Sequence, residues 1–337
     1  MGFSFAAPHV APEYFRFIPP LSHASAQFVV DQILRLSLKT IRLDTHGIRG
    51  VRQRIAAVDA RLGRIARDVT RTEQLCDDVQ AHWIEVPASR RDRVLLYFNG
   101  GGFSLRMPKL QTAMVTRWCR LLQARALMPD YRLAPEHPFP AAPDDCLASY
   151  RWLLGHGVPA KHIVICGDSA GGNLTLVTLM RAREAGLPMP AAAVMLSPAL
   201  DFSMSGRSAV VNEAHDPMFS LALLRWLGEM YLTEPDLHLS PALSPITGDF
   251  RDLPPLLFQV GSNEMLLDDS TRAAAKAHAS GVPVQIDVFD GMPHVFQYIA
   301  QLAETKRADK NVAAFLAKQA GWKRIVSRAS GDRGAGG

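Results

Sequence analysis

From Trp83 onward the chain repeats one pattern, and it restricts the fold more than any other feature of the sequence. A short apolar run is followed by a longer stretch with helical spacing, again and again. The runs are 94–98 (VLLYF), 124–127, 163–166, 192–196, 256–260 and 284–289, with helical patterns at 109–122, 144–154, 173–185 and 268–279. Strand–helix alternation of this length predicts a mostly parallel sheet with helices on both faces. Several runs are apolar throughout rather than alternating, as strands covered on both sides are.

One interval breaks the rhythm. Between Asp201 and Leu253 no strand pattern is visible, and Met204, Met218, Phe219, Leu223, Leu224, Trp226, Met230 and Tyr231 fall there. A lid over the main domain, at about 203–240, is the expectation. Residues 1–90 read as helical and irregular, with one helix over 27–43 and a second near 48–58. The apolar spacing of both suits a cover on the main domain better than a helix lying on a membrane. The expected division is therefore N-terminal cap helices and a first strand region over 1–85, and a catalytic domain over 86–325 that carries the lid. A mobile Gly- and charge-rich tail follows over 326–337.

Composition narrows the class further. With 337 residues, 48% of them hydrophobic and 20% charged, the chain has material for a sizeable core, which excludes global disorder. It has no run of eighteen apolar residues, so no membrane span is expected. The opening MGFSFAAPHVAPEYF lacks a basic segment and a long apolar one, so no secretory signal is expected. The net charge of +5 is spread along the chain, which argues against a nucleic-acid partner. Cys76, Cys119, Cys146 and Cys166 form no C-x-x-C pair and no cluster with His, so neither a zinc site nor a disulfide framework is expected. Reduced thiols in a cytoplasmic protein account for them.

Gly167-Asp168-Ser169-Ala170-Gly171 matches G-x-S-x-G, between the strand pattern KHIVIC and the helix pattern NLTLVTLMRAREAG. A nucleophile elbow needs that strand–turn–helix setting, because its serine sits on a strained turn where neighbouring chain passes close. A serine hydroxyl needs a base. In hydrolases of this kind the chain order is Ser, acid, His. Of the eleven histidines only His278 and His294 come late enough, and His278 falls inside a helical pattern. His294 follows the strand pattern VQIDVFD, at the carboxyl end where open α/β sheets place their sites. For the acid, Glu264 follows the strand LLFQV, while Asp268 and Asp201 remain alternatives. The strand VLLYF runs into Asn99-Gly100-Gly101-Gly102-Phe103, whose backbone N–H groups suit an oxyanion, and Ala170 should supply another.

These segments resemble the bacterial hormone-sensitive-lipase family of α/β-hydrolases, the family IV lipolytic enzymes, from about residue 94 to 296. The segment GDSAGGN at 167–173 is similar to the family's elbow and implies Ser169 as nucleophile. The loop at 99–103 is similar to its HGGGF motif and implies an oxyanion hole of Gly100, Gly101 and Ala170. DYRLAPEHPFPAAPDD at 130–145 resembles a structural signature. GMPHVF at 291–296 resembles the His loop and implies His294. In GSNEMLL, Glu264 stands where the family's acid loop has Asp, and Asn99 stands where its oxyanion motif has His.

The resemblance implies an α/β-hydrolase fold with a helical cap, no cofactor, and a serine carboxylesterase acting on short- to medium-chain acyl esters through Ser169, His294 and Glu264. The alternatives are an amidase, thioesterase or lactonase with the same triad, or a non-catalytic ligand-binding protein on the same fold. Phe103, Met204, Met218, Phe219 and Trp226 are candidates for the substrate pocket. No metal site is expected, and a homodimer through the edge of the strand at 284–289 is.

Overall fold

The structure is a computed structural model and describes residues 11–22, 31, 47–232 and 234–323. Its centre is a nine-stranded sheet. The strands are β1 (Phe15–Ile18), β2 (Thr70–Cys76), β3 (Val79–Glu85), β4 (Val94–Phe98), β5 (Arg125–Pro129), β6 (Ile163–Asp168), β7 (Ala192–Leu196), β8 (Leu256–Gly261) and β9 (Val284–Phe289). Their order across the sheet is β1-β9-β8-β7-β6-β4-β5-β3-β2. The β2–β3 and β3–β5 pairs are antiparallel and the remaining pairs parallel.

The described helices are α1 (Gly47–Leu62), α2 (Pro108–Leu122), α3 (Ala141–Gly155), α4 (Ala170–Glu184), the short α5 (Ser208–Val211), α6 (Leu221–Tyr231), α7 (Leu267–Ala279) and α8 (Ala303–Gln319). Side-chain alternation along each central strand divides the core in two. Val94, Leu96 and Phe98 of β4 face α3 and α4, through Tyr150 and Leu174 among others. Leu95 and Tyr97 face α2 and α8, through Trp118, Val312 and Phe315. That is the period of two that a doubly covered strand must show. No described helix is long and apolar enough to cross a membrane.

The first ninety residues depart from the helical and irregular expectation. β1 lies there, and β2 and β3 form a hairpin over residues 70–85. β2 (TRTEQLC) is exposed along most of its length, so no apolar alternation marked it. Asp77, at φ +53°, makes the turn. The second expected helix is α1, extending four residues past 58. The expected helix over 27–43 and the tail over 326–337 lie outside the described residues, Asp31 excepted. The helix α8 had no counterpart in the sequence reading.

The sheet edge is also different from expectation. β9 is not an edge strand: β1 pairs with it in parallel, Phe15 opposite Ile286 through Ile18 opposite Phe289. The backbone groups that a partner copy was expected to cover are already taken by the chain's own N-terminal segment.

Candidate active site

Ser169 occupies the turn from β6 into α4 with φ +52° and ψ −118°, a region that non-glycine residues enter only when the surroundings force it. The forcing is visible in its neighbours. A Cβ on Gly171 would stand 1.9 Å from the Phe98 carbonyl oxygen, and one on Gly167 would stand 2.3 Å from the Gly171 carbonyl oxygen. Both glycines are needed because β4, β6 and the first turn of α4 meet at backbone contact.

His294 lies in the loop after β9. Its Nδ1 is 2.9 Å from Glu264 Oε2, and both side chains are almost fully buried. The other carboxylate oxygen, Oε1, accepts the Ser197 hydroxyl at 2.7 Å and the Gly261 N–H at 2.5 Å. Ser197 Oγ also accepts the N–H of Val295 at 3.2 Å, so one hydroxyl ties the acid loop to the histidine loop. A carboxylate held from both sides cannot rotate away from the imidazole, and it fixes which ring nitrogen carries the proton. Nε2 of His294 is buried and has no hydrogen-bond partner among the described residues.

The other candidate acids are engaged elsewhere. Asp201 accepts from Ser203, Ser205 and Arg272. Asp268 accepts the N–H of Ser208 at 2.9 Å. His278 is on α7, stacked near Tyr14. The loop that carries Glu264 packs tightly on the histidine loop: a Cβ on Gly261 would stand 2.0 Å from the Met292 carbonyl oxygen.

The glycine loop corrects one assignment. The Gly100 N–H is buried and donates to Asp168 Oδ1 at 2.9 Å, and a Cβ on Gly100 would stand 2.2 Å from Asp168 Oδ2. That donor is spent inside the protein. Gly101, at φ +127°, and Gly102, at φ +57°, line the cavity beside Ser169 and Ala170 instead. Asn99 braces the loop from below: Nδ2 donates to the Gly100 carbonyl at 3.1 Å, and the Tyr131 hydroxyl donates to the Asn99 carbonyl at 2.7 Å. Gln111 adds a second donor to the Gly100 carbonyl at 3.1 Å.

Asp168 is fully buried. Burial pushes its carboxyl up, and hydrogen bonds from Tyr298, Tyr97 and the Gly100 N–H offset part of that rise. Nothing in the sequence reading marked Asp168, Tyr97 or Tyr298 as part of the site.

A cavity of about 680 Å3 opens onto Ser169 and His294. Phe103, Met204, Met218, Phe219 and Trp226 all line it. Phe103 is stacked on Tyr231 at 3.9 Å between ring centroids, and Phe219 meets His294 edge-on at 4.7 Å. The wall that sequence reading missed is α1. Val51, Ile55, Val58 and Leu62 face the cavity. Their i, i+4, i+7, i+11 spacing is an ordinary apolar stripe, which marks a packed helix without saying that its face borders a cavity.

Residues 95–298 match the family model described as the alpha/beta hydrolase fold, and the chain belongs to that family. It is 39% identical over 237 residues to an acetyl-hydrolase of Streptomyces hygroscopicus, covering 70% of this chain and 79% of that protein. It is 36% identical over 224 residues to an esterase of Acinetobacter venetianus, covering 66% and 74%. Among solved structures, an esterase from the bacterial hormone-sensitive lipase family superposes with a TM-score of 0.83 at 35% identity, over 89% of this chain and all of that one. A hormone-sensitive lipase from a metagenome library gives 0.82 at 34%, over 87% and 98%. The chain is a hydrolase of carboxylic esters in the hormone-sensitive-lipase-like group of the α/β-hydrolases.

Proposed function

We propose that the protein is a serine carboxylesterase for short- to medium-chain acyl esters, working through Ser169, His294 and Glu264. The observation that carries this reading is the pairing of His294 Nδ1 with Glu264 at 2.9 Å, with Nε2 lacking a partner among the described residues and His294 lining the same cavity as Ser169. An imidazole held that way is set up to accept a proton on Nε2.

Ser169 Oγ attacks the ester carbonyl as its proton passes to His294 Nε2. The N–H groups of Gly101, Gly102 and Ala170 receive the developing oxyanion. Glu264 stabilises the imidazolium by accepting from Nδ1–H. The imidazolium then protonates the leaving alcohol, and an acyl-enzyme on Ser169 remains. Water repeats the sequence in reverse order of roles. Acid freed at Ser169 and an alcohol are the products, so no redox or group-transfer partner enters the balance. The apolar wall built by Phe103, Met204, Met218, Phe219 and Trp226 supports an acyl chain rather than a polar substituent next to the carbonyl. Four reduced, buried thiols suit action in a reducing cytoplasm.

The test is hydrolysis of p-nitrophenyl acetate, butyrate, octanoate and palmitate by the wild type and Ser169→Ala. Turnover on the shorter chains is expected, and the variant should lose on the order of 10^4- to 10^6-fold in kcat. Labelling of Ser169→Ala by an organophosphonate as complete as that of the wild type would overturn the assignment of the nucleophile.

A further inference from the structure

We propose that the cavity is built for esters with one apolar arm that ends in an anionic group, and that Arg64, Arg117 and Arg120 receive that group. The proposal rests on the serine esterase reading above and names the substrate class for it.

The geometry begins with α2. Ala113, Thr116, Arg117 and Arg120 all line the cavity, and their i, i+3, i+4, i+7 spacing puts them on one face of the helix. The chain just after α1 runs beside that face. At one end the Asp59 carboxylate accepts the N–H groups of Lys109 and Leu110 at the start of α2, at 3.0 and 2.8 Å. At the other end Asp68 pairs with Arg120 at 2.6 Å. Residues 59–68 therefore span α2 from first turn to last, and Arg64 lies between these two anchors on the cavity wall.

The charges in this branch are not balanced. Arg117 uses Nε on Asp309 and Nη2 on the Gln297 carbonyl, and Arg120 uses Nη2 on Asp68. Arg64 forms no salt bridge among the described residues. Three guanidiniums thus face two carboxylates, with donors left over. The carboxylates that line the cavity are Asp168, beside the nucleophile, and Asp201 and Asp269, by the lid. Neither Asp68 nor Asp309, the two carboxylates paired with Arg120 and Arg117, is among the residues that line the cavity. Thr116 adds a buried hydroxyl there that has no hydrogen-bond partner among the described residues. Leu62 and Ala66 flank Arg64, and Leu110 and Ala113 precede Arg117 on α2, so the arginines share these two stretches of the wall with apolar residues. A substrate that fits must carry its charge away from the reacting carbonyl, because a carboxylate near Asp168 and Asp201 would be repelled, whereas one at the far end meets planar donors.

The experiment compares matched p-nitrophenyl esters, neutral alkanoates against ω-carboxyalkanoates, at four, six, eight and ten carbons. Acetate esters of ω-hydroxyalkanoic acids against alkyl acetates form a second series, so that either arm of the ester can carry the charge. In one series the anionic-to-neutral ratio of kcat/KM is expected to climb at least about tenfold from the shortest chain to the longest. Arg64→Gln combined with Arg120→Gln should lower the long anionic ester about fivefold to tenfold more than its neutral match. A flat ratio in both series, or equal losses on both esters, would overturn the proposal. Equal stimulation of all esters by vesicles of anionic phospholipid, with no preference among soluble ones, would assign the arginines to a lipid surface and overturn it as well.

Failure of the esterase reading itself is separable. If neutral esters are not turned over at all, binding is read instead in Ser169→Ala through intrinsic fluorescence, Trp226 being the one of the five tryptophans that lines the cavity. Tighter binding of monomethyl suberate than of methyl octanoate, weakened by the arginine substitutions, sustains the anion subsite; equal binding rejects it.

Discussion

The hydroxyl of Tyr298 donates to Asp168 Oδ2 at 2.6 Å, joining the loop that carries His294 to the residue that precedes Ser169. The opposite oxygen of the same carboxylate accepts from Tyr97 and from the Gly100 N–H. Asp168 is therefore a buried hub that touches the elbow, the glycine loop and the histidine loop together. Asp168 and Tyr298 border the cavity, but their hydrogen bonds run to each other, to Tyr97 and to the Gly100 N–H, so they act as positioning residues for the elbow and the glycine loop.

Tyr298→Phe tests that hub. The variant leaves a buried carboxylate one donor short, which costs about 1–3 kcal/mol. Loss of alignment at Gly101 and Gly102 should lower kcat about tenfold while KM stays within about twofold, because the donors matter most once the oxyanion forms. Urea unfolding and steady-state kinetics on one short-chain ester read the two effects. A stability loss with kcat intact would leave Tyr298 a core residue only.

Phe219 makes a second case, since it borders the cavity and packs edge-on against His294. Its backbone is tied down as well: the Phe219 N–H donates to Asp216 Oδ1 at 2.9 Å, and Asp216 Oδ2 accepts from Met265, next to Glu264. Phe219→Ala should widen the acyl space and free the imidazole ring. The expected outcome is a shift of the preferred ester toward longer chains with a fall in kcat on all of them. An unchanged profile over C2–C12 p-nitrophenyl esters would remove Phe219 from the acyl wall.

The parallel strands were legible because they are buried on both faces and read as unbroken apolar runs; β4, β6, β7 and β8 need no context to be seen. The elbow was legible for a related reason: its glycines answer to backbone contacts that hold for any sequence on this fold. What escaped reading depends on tertiary pairing. β2 is polar and exposed, and β1 has four residues with one buried, so neither carries a pattern until a neighbouring strand supplies its hydrogen bonds. The Gly100 assignment failed likewise. Three consecutive glycines look equivalent in sequence, and only the position of the Asp168 carboxylate shows which N–H is already spent.

Burial also decides the behaviour of the thiols. It pushes Cys76 and Cys119 up to about 12, and Cys146 and Cys166 well above their ordinary value. Thiolate is the reactive form, so the folded protein should show almost no reaction with a disulfide reagent near pH 8. All four thiols should react in denaturant. Rapid reaction of one thiol in the native state would place it at a site that opens.

Asp269 gives the pH dependence of stability. Its carboxyl is pushed up to about 7 by burial, against the pull of N–H donation from Leu200, and by the neighbouring Asp201 charge. Asp201 goes the other way: burial opposes its ionisation, but donation from Ser203, Ser205 and Arg272 outweighs that and holds it below its ordinary value. In the unfolded chain Asp269 ionises near about 4. Between these values the folded state holds the extra proton, so this residue's contribution is complete below about pH 4 and is lost as pH rises through about 7. Asp269→Asn keeps an oxygen to accept from Leu200 and Asp201, both of which now donate to Asp269 Oδ2, and it cannot ionise. Urea midpoints measured from pH 5 to pH 8 should fall less in the variant than in the wild type, and the two curves should separate most at the alkaline end. Parallel curves would show that Asp269 is already ionised at pH 5 in the folded protein, with the two backbone N–H groups holding its charge.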